Sequence, residues 1–434
     1  MRALSDIFRK GGILLWVLIA MLLAVALGSI KVGSGVLMPT SVARVFVTFT
    51  AIFSQFLSFT IPLIIIGLVT PAIADLGRGA GKWLSITAAI AYASTLFSGI
   101  LTFIVCRLVF PSLIGGQTLG KADELGGHEL STYFTIEMPP AVGVMTALIL
   151  SFLIGIGLSM VPRGVLRKGF IEFRHIITAV IEKVIIPLLP LHIFGIFLNL
   201  TMGGTVWNVI NVLLRVVVVV LVLEVVILGT QYGVAGALTG RSPIKALGTM
   251  MPAYLTALGT SSSAATIPVT LKQTRKNGVS QAVSAFTVPL CATIHLAGST
   301  SKIVAFSLAI IVTQGLPIST AHYIGFIFML GITMVAAPGV PGGAIMAATG
   351  ILQSMLGFDD AAVALMIATY IGLDAFGTAT NVTGDGAIAM VIDKFARGRI
   401  GLEGDPENAR ELAFDGMKYL HQVTENPVLE EANR

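Results

Sequence analysis

The chain has little charge and almost no cysteine. Of its 434 residues, 27 are Lys or Arg and 22 are Asp or Glu, together 11%, against about 25% in soluble globular domains. A soluble fold of this size could not cover its surface with so few charges. The two cysteines, Cys106 and Cys291, exclude a disulfide scaffold and offer no metal-binding spacing. Because hydrophobic residues make up 55% and the mean hydropathy is +0.92, we expect an all-α polytopic membrane protein.

Eight apolar segments are long enough to cross a bilayer, which takes about 20 residues. They cover 12–30, 45–74, 83–110, 140–161, 175–202, 205–238, 280–314 and 361–392. The first follows Arg2, Arg9 and Lys10, and we interpret it as an uncleaved span rather than a signal peptide. Two further apolar stretches, 246–271 and 322–356, are interrupted by Gly, Pro and Ser and do not resemble simple spans.

The distribution of Lys and Arg predicts how these segments are threaded, because cytoplasmic loops carry the excess of basic residues. With the N-terminus in the cytoplasm, every basic cluster falls inside and the acidic, polar loop 111–138 falls outside. This holds only if 246–271 enters and leaves on the cytoplasmic side and 322–356 does so from outside. The charges therefore predict two re-entrant hairpins and a cytoplasmic tail, and they explain the pI of about 9.2 without a nucleic-acid partner.

The tips of these two hairpins carry unusual sequences. The first reads Gly-Thr-Ser-Ser-Ser-Ala-Ala-Thr-Ile-Pro over 259–268, and the second reads Pro-Gly-Val-Pro-Gly-Gly over 338–343. Non-helical backbone at membrane depth is tolerated only inside protein or beside a wet cavity, and paired broken segments of opposite topology point to the binding site of a secondary transporter. The alternative, Gly/Ser helix packing, explains one such stretch better than it explains two.

The last span carries five polar residues where the bilayer favours none: Asp374, Thr378, Asn381, Thr383 and Asp385. On a helix, Asp374, Asn381 and Asp385 fall within about 40° of one another and Thr378 lies beside them. A carboxylate at mid-bilayer costs about 2.5–3.5 kcal/mol on insertion scales unless it is paired. We therefore expect a cation here, which is a metal ion, a proton, a substrate ammonium group or Lys302.

The span before it adds His295 and Lys302, with Lys302 well inside the segment, where we expect it to balance charge. By contrast, Arg215 and Glu224 in the sixth span have no polar companions, and we interpret them as packing or interfacial groups.

These segments resemble the dicarboxylate/amino acid:cation symporter family, which includes glutamate and neutral amino acid transporters. The resemblance covers about 10–397 and is strongest after residue 240. It is carried by Ser-Ser-Ser-Ala-Ala-Thr-Ile-Pro-Val-Thr at 261–270, Cys-Ala-Thr-Ile at 291–294, Gly-Val-Pro-Gly at 339–342 and Asn-Val-Thr-Gly-Asp at 381–385. It implies a homotrimer with a glutamate-transporter-like elevator fold. Each protomer would have eight transmembrane helices plus two re-entrant helical hairpins.

The resemblance also implies a division of labour along the chain. Scaffold helices would occupy 1–82 and 111–202, the second range beginning with the external loop. The transport core would comprise 83–110 and 203–397, and 398–434 would form the cytoplasmic tail.

Roles for individual residues follow from the same resemblance. Asp374 would bind the substrate ammonium and Asn381 the substrate carboxylate. The full set of substrate contacts would be Ser262, Ser263, Ser299, Val340, Gly342, Asp374, Thr378 and Asn381. The coupling cation would be held by Thr293, His295, Asn381 and Asp385, of which Asn381 and Asp385 are the candidate metal ligands. Lys302 would balance charge.

Two departures from the family pattern bear on specificity. Acidic-substrate members carry an arginine in the eighth span or at the first hairpin tip, where this chain has Gly377 and Ser261. A second substrate carboxylate would be left unpaired in a low-dielectric pocket, so a neutral amino acid is expected. An acidic amino acid or C4-dicarboxylate is the alternative.

The second departure concerns the coupling ion. The family run Asn-Met-Asp-Gly-Thr is His-Leu-Ala-Gly-Ser over 295–299 here, which removes an amide and a carboxylate ligand of sodium. We therefore expect coupling to Na⁺, H⁺ or both in the cytoplasmic membrane, with no covalent cofactor and with His295 or Asp385 as proton carriers. A channel and a non-transporting sensor stay open, whereas no nucleophile–base pair or nucleotide loop suggests an enzyme.

Overall fold

The protein is described by a computed structural model over residues 2–32, 35–76, 82–115, 130–161, 164–204, 206–337, 339 and 341–396. The predicted cytoplasmic tail 398–434 and the site residue Val340 lie outside the described residues, as does 116–129, half of the predicted external loop.

Helices dominate the first half of the chain. They are α1 (Arg2–Ser29), α2 (Thr40–Leu76), α3 (Lys82–Leu113), α4 (Val144–Met160), α5 (Val165–Val180), α6 (Ile186–Met202) and α7 (Val206–Thr239), with a π-helical turn at Ile181–Ile185 between α5 and α6. Two antiparallel strands of two residues each, β1 (Lys31–Val32) and β2 (Gly35–Val36), pair Lys31 with Val36 and Val32 with Gly35.

The second half is made of shorter helices. They are α8 (Pro243–Thr249), α9 (Met251–Thr260), α10 (Ser263–Lys276), α11 (Gln281–Ile294), α12 (Ala297–Gln314), α13 (Thr320–Val335), α14 (Gly343–Leu356), α15 (Asp360–Gly372) and α16 (Asp374–Ala396). In both predicted hairpins the helices on either side of the tip pack together, α9 on α10 and α13 on α14.

Five segments of the described residues are long and apolar enough to cross a membrane, and a bent pair would make six. They are Thr40–Pro71, Ser85–Leu113, Val165–Met202, Val206–Thr239 and Gln281–Gln314, with Asp360–Gly372 and Asp374–Ala396 as the pair. The first and fourth predicted spans contain the shorter apolar helices Leu15–Ser29 and Ile149–Met160. Apart from the short β1–β2 pair, the described residues thus form a helical fold with five or six candidate membrane spans, and the total of eight spans stays a prediction.

Two of the predicted spans are interrupted. The segment 280–314 breaks at His295 and Leu296, where the backbone is extended at His295 (φ −106°, ψ 100°) and α12 starts anew at Ala297. The segment 361–392 bends by 62° at the junction of α15 and α16, next to Leu373. Both breaks interrupt the regular backbone hydrogen bonding that an unbroken helix would have.

Helix α16 lies at the centre of the second half. It packs against α7, α9, α10, α11 and α12, and every residue from Gly377 to Ile392 is buried. A helix buried all round faces protein rather than lipid, which is why its polar residues are compatible with a membrane protein.

Candidate functional site

The tips of the two hairpins touch. Ser261, in the left-handed region at φ 49°, ends α9, and Ser262 caps α10 by accepting a bond from the Ala265 N–H at 3.3 Å. The Ser262 hydroxyl also donates to the Gly339 carbonyl of the second hairpin at 2.9 Å. Ser262 therefore caps the start of α10 and joins the two hairpin tips.

Asn381 is tied to the start of α12. Its side-chain oxygen accepts from the backbone N–H of Gly298 at 2.8 Å and of Ser299 at 3.4 Å, and its amide donates to the Ser299 hydroxyl at 3.0 Å. The Tyr370 hydroxyl donates to the same Ser299 oxygen at 2.9 Å. Asn381 thus satisfies N–H groups that the start of a helix leaves without partners, and it keeps one amide hydrogen for a ligand.

Asp374 begins α16 and holds two partners. The Lys302 Nζ lies 3.5 Å from Asp374 Oδ1, and the Gly342 N–H donates to Asp374 Oδ2 at 2.7 Å. Gly342 has φ 73°, so the second tip uses the conformational freedom of glycine to point an amide at this carboxylate. The acid predicted to bind a substrate ammonium therefore already contacts an ammonium of the chain itself.

The Asp385 carboxylate lies with His295, at the break between α11 and α12. His295 Nδ1 lies 2.9 Å from Asp385 Oδ1, and both side chains are at most 1% exposed. The other ring nitrogen, Nε2, lies 3.1 Å from the Ser94 hydroxyl and 3.3 Å from the Gln231 amide nitrogen. A Cβ on Gly384 would lie 2.5 Å from the Gln231 side-chain oxygen, so this glycine lets Gln231 approach His295.

Glu224 was interpreted from sequence as a packing or interfacial residue. The structure buries it to 3% exposure, with Oε2 accepting from the Thr380 hydroxyl of α16 at 3.1 Å. Its Oε1 has no hydrogen-bond partner among the described residues. Glu224 is therefore a third buried acid against α16, whereas Arg215 donates to the Leu113 carbonyl at 2.5 Å and to Asn211.

The remaining predicted site residues differ in burial. Ser263 and Thr378 are buried at 5% exposure each. Thr293, a predicted cation ligand, is exposed and donates to the Leu290 carbonyl of its own helix. Among the described residues, no three His, Cys, Asp or Glu side chains cluster as a metal site would require.

Sequence reasoning missed four residues of this site, Ser94, Glu224, Gln231 and Tyr370. Each lies on a helix other than α16 and is separated by many residues from its partner. A single polar residue in an apolar run was the one signal available, and it does not identify the partner.

Comparison with known proteins identifies the family. The model of the sodium:dicarboxylate symporter family matches residues 13–395. The chain belongs to this family. It is therefore a multi-pass membrane protein from a family of cation-coupled symporters rather than of enzymes.

Individual relatives are more distant. Excitatory amino acid transporter 1 of Homo sapiens is 30% identical over 184 residues, which cover 42% of this chain and 33% of that protein. Excitatory amino acid transporter 2 of Homo sapiens is 24% identical over 250 residues, 56% of this chain and 43% of that protein. The chain thus matches between a third and a half of the length of these curated relatives.

Proposed function

We propose that the protein is a secondary active symporter for a small carboxylate-bearing solute. The observation that carries this proposal is the convergence of four broken elements on α16: the two hairpin tips, the α11–α12 break and the α15–α16 bend. Freed N–H groups at such breaks can hold an anionic group and freed carbonyls a cation. The family match and the buried Asp374, Asn381 and Asp385 support the same function.

The sequence alone favours a neutral amino acid, whereas the contact between Lys302 and Asp374 argues against a substrate that brings its own amine. Ser261 and Gly377 stand where acidic-substrate members carry arginine, so a second carboxylate has no arginine partner. Because Asp374 contacts Lys302, the ammonium of such a substrate would have to share this acid with Lys302 or displace it.

An acidic amino acid or C4-dicarboxylate is the second candidate, and Lys302 is the observation that favours it. A Cβ built on Gly377 would lie 2.5 Å from the Lys302 Nζ. The Lys302 ammonium therefore lies close to position 377, where acidic-substrate members carry the arginine side chain. An ammonium there can pair with a second carboxylate, although without the bidentate geometry of arginine.

For the coupling ion we propose a proton carried at His295 and Asp385, with Na⁺ as the alternative. Imidazole changes its charge nearest neutral pH among the side chains, and His295 Nδ1 is 2.9 Å from Asp385 Oδ1. The Gln231 amide faces His295 Nε2 while its oxygen has no partner among the described residues. Because amide O and N exchange by a flip, Gln231 can accept from a protonated Nε2 as well as donate to a bare one.

We propose the elevator arrangement for the movement itself, with the domain boundaries given above, a homotrimer and cytoplasmic termini. The packing of α3, α7 and α9–α12 around α16 supports a transport core, and the packing of α1 on α6 and of α2 on α4 supports a separate scaffold.

A ligand screen by thermal shift tests the transport proposal. Amino acids and dicarboxylates are added to the purified protein with and without Na⁺, because a ligand that binds only the folded state raises apparent stability. We expect at least one small carboxylate to raise the melting temperature saturably. A protein that no carboxylate stabilises, in either salt, would contradict the proposal.

A further inference from the structure

The Lys302 side chain is completely buried, at 0% exposure. Its Nζ donates to the Leu373 carbonyl at 3.1 Å and to the Asp374 carbonyl at 3.4 Å, and lies 3.5 Å from Asp374 Oδ1. The Tyr370 ring covers it at 4.0 Å from the ring centroid. These contacts give the ammonium two carbonyls at the α15–α16 bend, a carboxylate and an aromatic face.

Such a set of partners is what an amine ligand would require. An ammonium has three donors and no acceptor, and here all three donors have oxygen acceptors at the start of α16. Aromatic faces attract cations most strongly when they are desolvated. The chain therefore fills an ammonium site with its own side chain.

Gly377 makes this arrangement possible. A side chain at this position would collide with the Lys302 Cε and would lie 2.5 Å from its Nζ. The Gly377 position, one turn after Asp374, is thus occupied by the end of the lysine. Lys302 can take this position only because residue 377 has no side chain.

We propose that Lys302 is a tethered ammonium that occupies the amine position of the pocket, so that the transported solute is a small carboxylate without a primary amine. This inference rests on the proposed function and names the substrate class of the same site. A substrate amine would have to share Asp374 with the Lys302 ammonium against like-charge repulsion, or displace an intramolecular group whose effective concentration is in the millimolar range or above. Displacement would also leave the Lys302 charge buried and unpaired, which is strongly unfavourable.

The carboxylate of the solute would use a donor that is still open, because Asn381 keeps one amide hydrogen. This donor requires no amine on the ligand.

The test compares matched pairs of ligands that differ only at the amine. Lactate against alanine and malate against aspartate are titrated into the purified wild-type protein, with the thermal shift and competition for uptake as readouts. We expect the amine-free member of at least one pair to bind ten times more tightly or better. An amino acid that binds as tightly as its amine-free partner would overturn the inference while leaving the proposed function standing. If neither member of any pair binds or is taken up, the proposed function fails and the inference fails with it.

The Lys302→Met variant tests the tether directly. Methionine is unbranched, flexible and apolar, so it removes the ammonium with little change in packing. We expect its preference to move toward the amino acid of each pair by tenfold or more, because Asp374 then needs a cation. Lys245→Met, at an exposed lysine, is the matched control and should keep the wild-type order.

Chemical rescue covers the case in which Lys302→Met folds poorly. We expect ethylammonium to raise the melting temperature of Lys302→Ala and to leave the wild type unchanged, since only the variant offers an empty ammonium site. A rescue of both proteins or of neither would count against the tether.

Discussion

If His295 and Asp385 act as a pair, substitutions at the two residues should not have additive effects on stability. The two side chains are at most 1% exposed and their nearest atoms are 2.9 Å apart. Removing one member of a buried pair costs about 3–5 kcal/mol, because it leaves the other without compensation. We therefore expect His295→Leu alone to destabilise the protein by about that amount.

The double variant His295→Leu/Asp385→Asn should be less destabilised than the single His295→Leu. Neutralising the orphaned carboxylate removes most of its desolvation cost, and contacting residues typically show interaction energies of about 0.5–3 kcal/mol. Reversible unfolding of the purified protein in detergent, for both single variants and the double variant, measures the coupling. His175→Leu, at an exposed histidine, is the matched control and should change stability little. Strictly additive losses in the double variant would refute the idea that the two groups act as a pair.

Three other substitutions have defined outcomes. Gly377→Ala should displace Lys302 and cost about 1–3 kcal/mol, as overpacking of a core does; an unchanged melting temperature and ligand preference would count against the contact with Lys302. Ser262→Ala should cost about 1 kcal/mol through loss of a helix cap and of the bond to Gly339; Ser354→Ala, whose hydroxyl donates only within its own helix, should be nearly neutral in the same unfolding assay. Asn381→Leu leaves the Gly298 N–H without its acceptor, a loss of about 1–3 kcal/mol, and should abolish saturable uptake; preserved uptake would remove Asn381 from the site.

The sequence singled out polar residues that the structure brings together, because the physical cost of polarity in a membrane is local. A hydroxyl-rich tip or a carboxylate in an apolar run stands out without any knowledge of its neighbours. Ser262, Asn381 and Asp385 were found in this way, and the structure brings all three to the breaks around α16. Their roles in binding stay predictions.

The pairing of the charges was not accessible to the same reasoning. Lys302 and Asp374 are separated by 72 residues, and helical periodicity relates only residues within one element. A role for Lys302 in charge balance was expected, but its partner was left open among the groups of the last span. Glu224 was assigned to packing because its partner, Thr380, lies on another helix.

The sequence also did not predict the breaks inside two helical segments. The segments 280–314 and 361–392 were predicted as simple spans because both are long and apolar. The structure interrupts the first at His295 and Leu296 and bends the second beside Leu373. Tertiary contacts stabilise both interruptions, since Asn381 accepts from N–H groups at the first and Lys302 donates to carbonyls at the second. Neither break follows from local propensity alone.

We propose that this pocket moves a small carboxylate and couples it to a cation. Uptake of a labelled carboxylate, chosen from the ligand screen, into proteoliposomes tests it most directly, with an imposed pH gradient, a Na⁺ gradient or neither. We expect saturable accumulation driven by an inward proton gradient in the absence of Na⁺, and its loss in the His295→Leu/Asp385→Asn variant. Accumulation that requires Na⁺ and ignores pH would contradict the proton role of His295 and Asp385, and the absence of accumulation under every gradient would contradict symport itself.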